Sequence, residues 1–224
     1  MSETGGSHLQ GSPFYGIAQA YLDALLAADR TKAKRIIADA LCDGLTIRNL
    51  YLGVFQPVQH EVGRLWLINK VSITEEHFCT AATQTIMSDL YPQIISSSRC
   101  GKTMVAACVG AELHEIGVRM VADFFEMEGW DTYYLGAGIP YDQLLSAIEQ
   151  RKPDLVALSA TMTYHVAKVK ELIATVRSTF STTTPRIMVG GLPFNMDPGL
   201  WRTVGADVWA PDAEKAVQVA QQMP

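Results

Sequence analysis

The sequence predicts an α/β protein in two parts, a four-helix bundle followed by a five-stranded, parallel, doubly wound sheet. Three observations predict it. Residues 13–98 repeat apolar positions at helical spacing, whereas residues 102–224 alternate short runs of Val, Ala, Leu and Met with amphipathic stretches. Hydrophobic residues make up 48% of the 224, and charged residues only 18%, enough apolar material for real cores.

Residues 1–12 are small and polar and are expected to form a disordered lead-in. Ile17, Tyr21, Leu25 and Leu26 then mark the first helix, and Ile36, Ile37, Ala40 and Leu41 the second, with Thr31 as its expected cap. The third stretch runs from Thr46 through Trp66, and Pro57 should kink or restart it because proline lacks the N–H that an α-helix interior needs. The fourth opens at Ser72 or Thr74 and continues until Pro92. Four amphipathic helices with short links form a small bundle.

Beyond residue 98 the expected strands are Met104–Val109, Thr132–Leu135, Leu155–Leu158, Arg186–Val189 and Asp207–Trp209. Helices at His114–Glu128, Tyr141–Gln150, Tyr164–Ser178 and Asp212–Gln222 intervene or follow, with a further one after the fourth strand. With the common strand order 2-1-3-4-5, ligands lie beyond the carboxyl ends of the strands where the winding reverses, between strands one and three.

Three landmarks converge there. Glu112-Leu113-His114-Glu115-Ile116-Gly117 is followed after 41 residues by Ser159-Ala160-Thr161, and after 28 more by Gly190-Gly191. Taken singly, His114 could be a packed ring and Gly190-Gly191 a turn. Glu112 shifts the balance, because a metal-ligating imidazole usually gives its other ring N–H to a carboxylate. Gly117 leaves room for a bulky planar group, and Ser159 and Thr161 offer hydroxyls to a polar ligand edge.

These residues resemble the cobalamin-binding domain of methionine synthase, corrinoid methyl carriers and cobalamin-dependent mutases, whose pattern is D-x-H-x-x-G, S-x-L and G-G at such intervals. Two positions depart from it, Glu112 for Asp and Thr161 for Leu. The resemblance implies a flavodoxin-like, Rossmann-type domain in which His114 is the lower axial ligand of cobalt. Glu112 would be its hydrogen-bond partner, and the cofactor's nucleotide tail would lie near Ser159, Thr161 and Gly190-Gly191. Trp66, nine residues, then Glu76-His77 is similar to the cap signature of cobalamin-dependent light-sensing repressors, which implies contacts with the upper axial group. Leu67 stands where that branch carries a second ligating histidine, leaving His60, His77 and His165 as other candidates for the upper site.

The resemblance therefore implies a cobalamin-binding light sensor holding adenosylcobalamin, or methylcobalamin, whose output is self-association or an effector protein. A bilin near Tyr164-His165 is a further possibility under that reading. The alternative is a corrinoid methyl-carrier subunit of a methyltransferase system. A third reading is binding of another nucleotide through Gly136-Ala137-Gly138, a fragment of a dinucleotide fingerprint after the wrong strand.

The net charge of −5 argues against a nucleic-acid partner. The four cysteines form no C-x-x-C pair, and no apolar run approaches the ~20 residues of a membrane span, so a cytoplasmic location is expected. No nucleophile elbow, H-E-x-x-H or phosphate loop occurs, so the chain is expected to be a binding protein rather than an enzyme.

Overall fold

The computed structural model describes residues 7–95, 98–180 and 184–223. The chain divides into two compact units, Met1–Pro92 and Gln93–Pro224.

The first unit contains α1 (Tyr15–Leu26), α2 (Arg30–Cys42), a continuous third helix and all but the last two residues of α5 (Ile73–Ile94). The third helix is built from α3 (Ile47–Leu50), a π-helical segment (Tyr51–Phe55) and α4 (Gln56–Leu67). Asp29, not Thr31, caps α2, its carboxylate accepting the Lys32 N–H at 2.8 Å. Ser72 and Glu75 form a reciprocal capping box at the start of α5. The interior is aromatic: Tyr21 and Tyr51 both pack on Phe55, and the Tyr21 hydroxyl meets Thr83 Oγ1 at 2.9 Å.

Pro57 does not break the third helix. It cannot give an N–H to the Gly53 carbonyl four residues earlier, and the π-helical segment falls where that bond is missing. The Ser12 hydroxyl donates to the Gly53 oxygen at 2.5 Å, and the Phe14 ring lies where a Cβ on Gly53 would be. Part of the stretch expected to be disordered is therefore ordered. Residues 7–12 form turns, Leu9 is fully buried, and the His8 N–H donates to Glu61 at 3.0 Å. Residues 1–6 of that stretch lie outside the described residues. Ser12→Ala should cost about 1–2 kcal/mol by orphaning a partly buried acceptor. Thermal unfolding would then begin several degrees earlier; an unchanged melting curve would show that this clasp carries no stability.

The second unit is a five-stranded parallel sheet in the order β2-β1-β3-β4-β5, as expected. The strands are β1 (Thr103–Cys108), β2 (Asp131–Gly136), β3 (Leu155–Ser159), β4 (Arg186–Gly190) and β5 (Val208–Trp209). The helices are α6 (Ile116–Met127), α7 (Tyr141–Arg151), α8 (Val166–Thr179), α9 (Leu192–Met196), α10 (Leu200–Val204) and α11 (Ala213–Gln221). β1 and β3 are near-continuous apolar runs because both of their faces are covered. Val105, Ala107, Val156, Leu158, Ile187 and Val189 pack on one side with Leu144, Val169, Leu172, Ile173 and Val176. α6, joined by α11, packs on β1, β2 and β3.

Candidate functional site

The sheet register puts the three landmarks in one row. Cys108 pairs with Ser159, and Ser159 with Gly190, so the loops after β1, β3 and β4 leave the same edge side by side. The row is closed by backbone bonds from Val109 N–H to the Ser159 carbonyl and from Ala160 N–H to the Gly190 carbonyl.

Glu112 organises this edge. Its carboxylate is 1% exposed and takes six hydrogen bonds. Oε1 accepts from the N–H groups of Leu113 and His114, both at 3.1 Å, and from the His114 ring at Nδ1. Oε2 accepts from the N–H groups of Thr161 at 2.7 Å and Met162 at 3.0 Å, and from His165 Nδ1 at 3.1 Å. The loop after β1 is thus tied to the loop after β3 by one side chain. Burial alone would raise the Glu112 pKa, but the bonds from the His114 ring and from the N–H groups of Thr161, Met162 and His114 overrule it and hold the carboxyl well below its usual range.

An ionised carboxylate only accepts, so the proton between Glu112 and His114 sits on Nδ1, which leaves Nε2 as the ring nitrogen that could present a lone pair to a metal. The His114 side chain is 55% exposed, although its Nδ1 partner is buried. The Cys108 thiol donates to the His114 carbonyl at 3.7 Å, and burial, with the Glu112 and Glu115 charges adding to it, pushes that thiol up to about 12, so it remains protonated.

Ser159 is nearly buried at the end of β3, whereas Thr161 enters the network through its backbone N–H. Gly191 has φ +104° and ψ 174°, and a Cβ there would stand 2.0 Å from the Ala160 carbonyl oxygen. The pair is therefore more than a turn: Gly191 lets the chain after β4 lie directly on the loop after β3. Gly117, exposed in the first turn of α6, would bring a Cβ within 4 Å of nothing. Packing within the chain does not require glycine there.

Trp66, Glu76 and His77 belong to the helical unit. Trp66, 42% exposed, lies near the end of α4, and Glu76 and His77 lie in the first turn of α5. Glu76 bonds the His77 ring at 2.5 Å and accepts from the Thr80 hydroxyl at 3.0 Å. The structure also brings in residues that the motif did not name as part of this network. His165 follows from no spacing rule, since it reaches Glu112 from a 3₁₀ turn (Thr163–His165) before α8. Its Nδ1 bonds Glu112 as that of His114 does, but its side chain is only 6% exposed against 55% for His114, so its ring presents little surface to any ligand. In the Gly136-Ala137-Gly138 fragment, a Cβ on Gly136 would stand 2.5 Å from Glu115 Oε2, so that glycine is explained by a carboxylate rather than by a phosphate.

Cobalamin fits these residues. The imidazole has its tautomer fixed by a buried carboxylate, which is the condition for Nε2 to ligate a metal. A glycine that the chain's own packing does not need stands three residues on, and the backbones of two loops approach closely at Gly191 without side chains.

Comparison with known proteins agrees with that fit. Residues 102–220 match the B12 binding domain family, and residues 17–91 match a second family described as B12 binding domain. Dimethylamine corrinoid protein 1 of Methanosarcina acetivorans is 25% identical over 203 residues, covering 90% of each chain. Trimethylamine corrinoid protein 2 of the same organism is 25% identical over 201 residues, 87% of this chain and 90% of that one. The monomethylamine corrinoid protein of Methanosarcina barkeri shares the fold, with a TM-score of 0.80 at 19% identity over 92% of this chain and 97% of that one.

These relatives overturn the light-sensor expectation, because they are methylamine corrinoid proteins. The signature Trp66, Glu76 and His77 rests on three residues of two consecutive helices, too few to discriminate a sensor from a carrier. Glu112, one of the two departures from the family pattern, has a local explanation: its carboxylate spans His114 on one side and Thr161, Met162 and His165 on the other. With its corrinoid relatives, a fitting imidazole–carboxylate pair and more than half its length matched, the chain belongs to the B12-binding domain family.

Proposed function

We propose that this chain is the corrinoid methyl carrier of a methyltransferase system, with methylated amines as the source of the methyl group. The observation that carries the reading is the alignment of dimethylamine and trimethylamine corrinoid proteins with nearly the whole chain. The partners are then two methyltransferases, one loading and one unloading, and the relevant cofactor state is methylcobalamin rather than adenosylcobalamin.

When bound, cobalamin supplies a cobalt that accepts a methyl group and gives it up to a nucleophile. The residues of the chain do the rest. Glu112 holds the His114 ring through Nδ1, and Nε2 would be the nitrogen that ligates the cobalt. Gly117 would give the macrocycle room, and Ser159, Thr161, Gly190 and Gly191 would hold the nucleotide tail. No residue of the chain is assigned a bond-making step.

The test uses the full chain loaded with cobalamin. Reduction with titanium(III) followed by methyl iodide should place one methyl group per chain, retained through gel filtration and removed by a small thiol. In the Co(II) state of protein labelled with 15N-histidine, the paramagnetic resonance spectrum should show the doublet splitting of one 15N axial nitrogen, which the cofactor's own unlabelled base cannot give. His114→Ala should abolish that splitting and weaken cofactor retention by about tenfold or more. Bound cobalamin that neither takes up nor releases a methyl group would overturn the carrier reading.

A further inference from the structure

Glu115 directly follows His114 and performs a separate task. Its Oε2 accepts from the Tyr134 hydroxyl at 3.1 Å and from the Ala137 N–H at 3.0 Å, both at the end of β2. The β1–β2 register shows how they come together. Pairing runs in step from Thr103 with Asp131 to Ala106 with Tyr134, then slips so that Ala107 pairs with Gly136. Leu135 is the extra residue, and such a bulge bends a strand and re-aims its side chains. Gly136 then turns with φ +70°, and the Glu115 carboxylate fills the space a side chain would take. A bulge, a left-handed glycine and a tyrosine hydroxyl are all arranged around this one carboxylate.

We propose that Glu115 is a positioning residue for the cobalt ligand. β1 lies between β2 and β3. Glu112 ties the loop after β1 to the loop after β3, and Glu115 ties it to the loop after β2. His114, between the two glutamates in sequence, is held from both sides. Without the Glu115 clamp the Glu112–His114 pair would persist on a loop anchored on one side only, and the ring would sample orientations that do not reach the metal. The inference rests on the assignment of His114 as cobalt ligand.

Cobalamin-loaded Glu115→Ala, Glu115→Gln and Tyr134→Phe proteins test it, with cofactor release and the axial-nitrogen splitting of the Co(II) state as readouts. Glu115→Ala should release cobalamin about tenfold faster, the usual consequence of losing an outer partner of a metal ligand, and give a mixture of ligated and unligated signals. Glu115→Gln keeps an oxygen for the Ala137 N–H and should stay close to the parent, a rescue that a charge-dependent role would not show. Tyr134→Phe should fall between. Parental release and a single parental signal in Glu115→Ala would overturn the proposal; should that variant not fold, the same result in Tyr134→Phe would overturn it. A parent whose splitting survives His114→Ala would instead show the ligand assignment itself to be wrong, and this proposal would fall with it.

Discussion

Glu112→Ala is expected to damage both the fold and cofactor binding more than any other polar substitution. Four backbone N–H groups and two imidazoles lose their common acceptor. A buried donor left unsatisfied costs about 1–3 kcal/mol, and water entering the emptied site offsets part of the sum. A net loss of about 3–5 kcal/mol follows, the range seen when one partner of a buried ion pair is removed. Melting should fall by roughly 10 °C. With the Nδ1 tautomer no longer fixed, cobalamin affinity should drop about 10–100-fold. Thermal unfolding and equilibrium titration with cobalamin read the two effects separately. A variant that melts with the parent and binds as tightly would show that the carboxylate organises nothing.

Gly191→Ala should be nearly as severe, for a purely steric reason. Its φ of +104° with extended ψ is open only to glycine, and forcing another residue there costs about 1–3 kcal/mol. The new Cβ would also stand 2.0 Å from the Ala160 carbonyl, and a backbone oxygen in a sheet-edge loop cannot rotate away as a side chain could. Gly190→Ala is the control: its φ is unexceptional and its Cβ would meet only the Ala210 carbonyl at 3.3 Å. Calorimetry should show the Gly191 variant melting well below the Gly190 variant. Equal melting points would mean that the close approach at Gly191 is relaxed at no cost.

The sheet was legible in the sequence because parallel strands covered on both faces read as unbroken apolar runs, and Met104–Val109 and Leu155–Leu158 are such runs. Strand order followed from the commonest doubly wound topology, which then brought His114, Ser159 and Gly190 to one edge. Helix starts were less legible. α6 begins at Ile116 rather than His114, because the N–H groups of Leu113 and His114 bind the Glu112 side chain in a loop. Pro57 predicted a kink, and only a donor from far along the chain, Ser12, shows how the helix carries on through it. His165 and Glu115 were not legible as members of the site, since each reaches it by a long-range hydrogen bond that no local pattern announces. The choice between sensor and carrier depended on a short cap signature, whereas whole-chain relatives speak to most of the length.

The Glu112 network has a kinetic consequence. Since the carboxylate already spans two loops using only atoms of the protein, a cofactor bound at His114 as proposed would meet a ring whose position is decided beforehand. Uptake at that edge then resembles seating a plug in a finished socket, with little chain ordering left to oppose it.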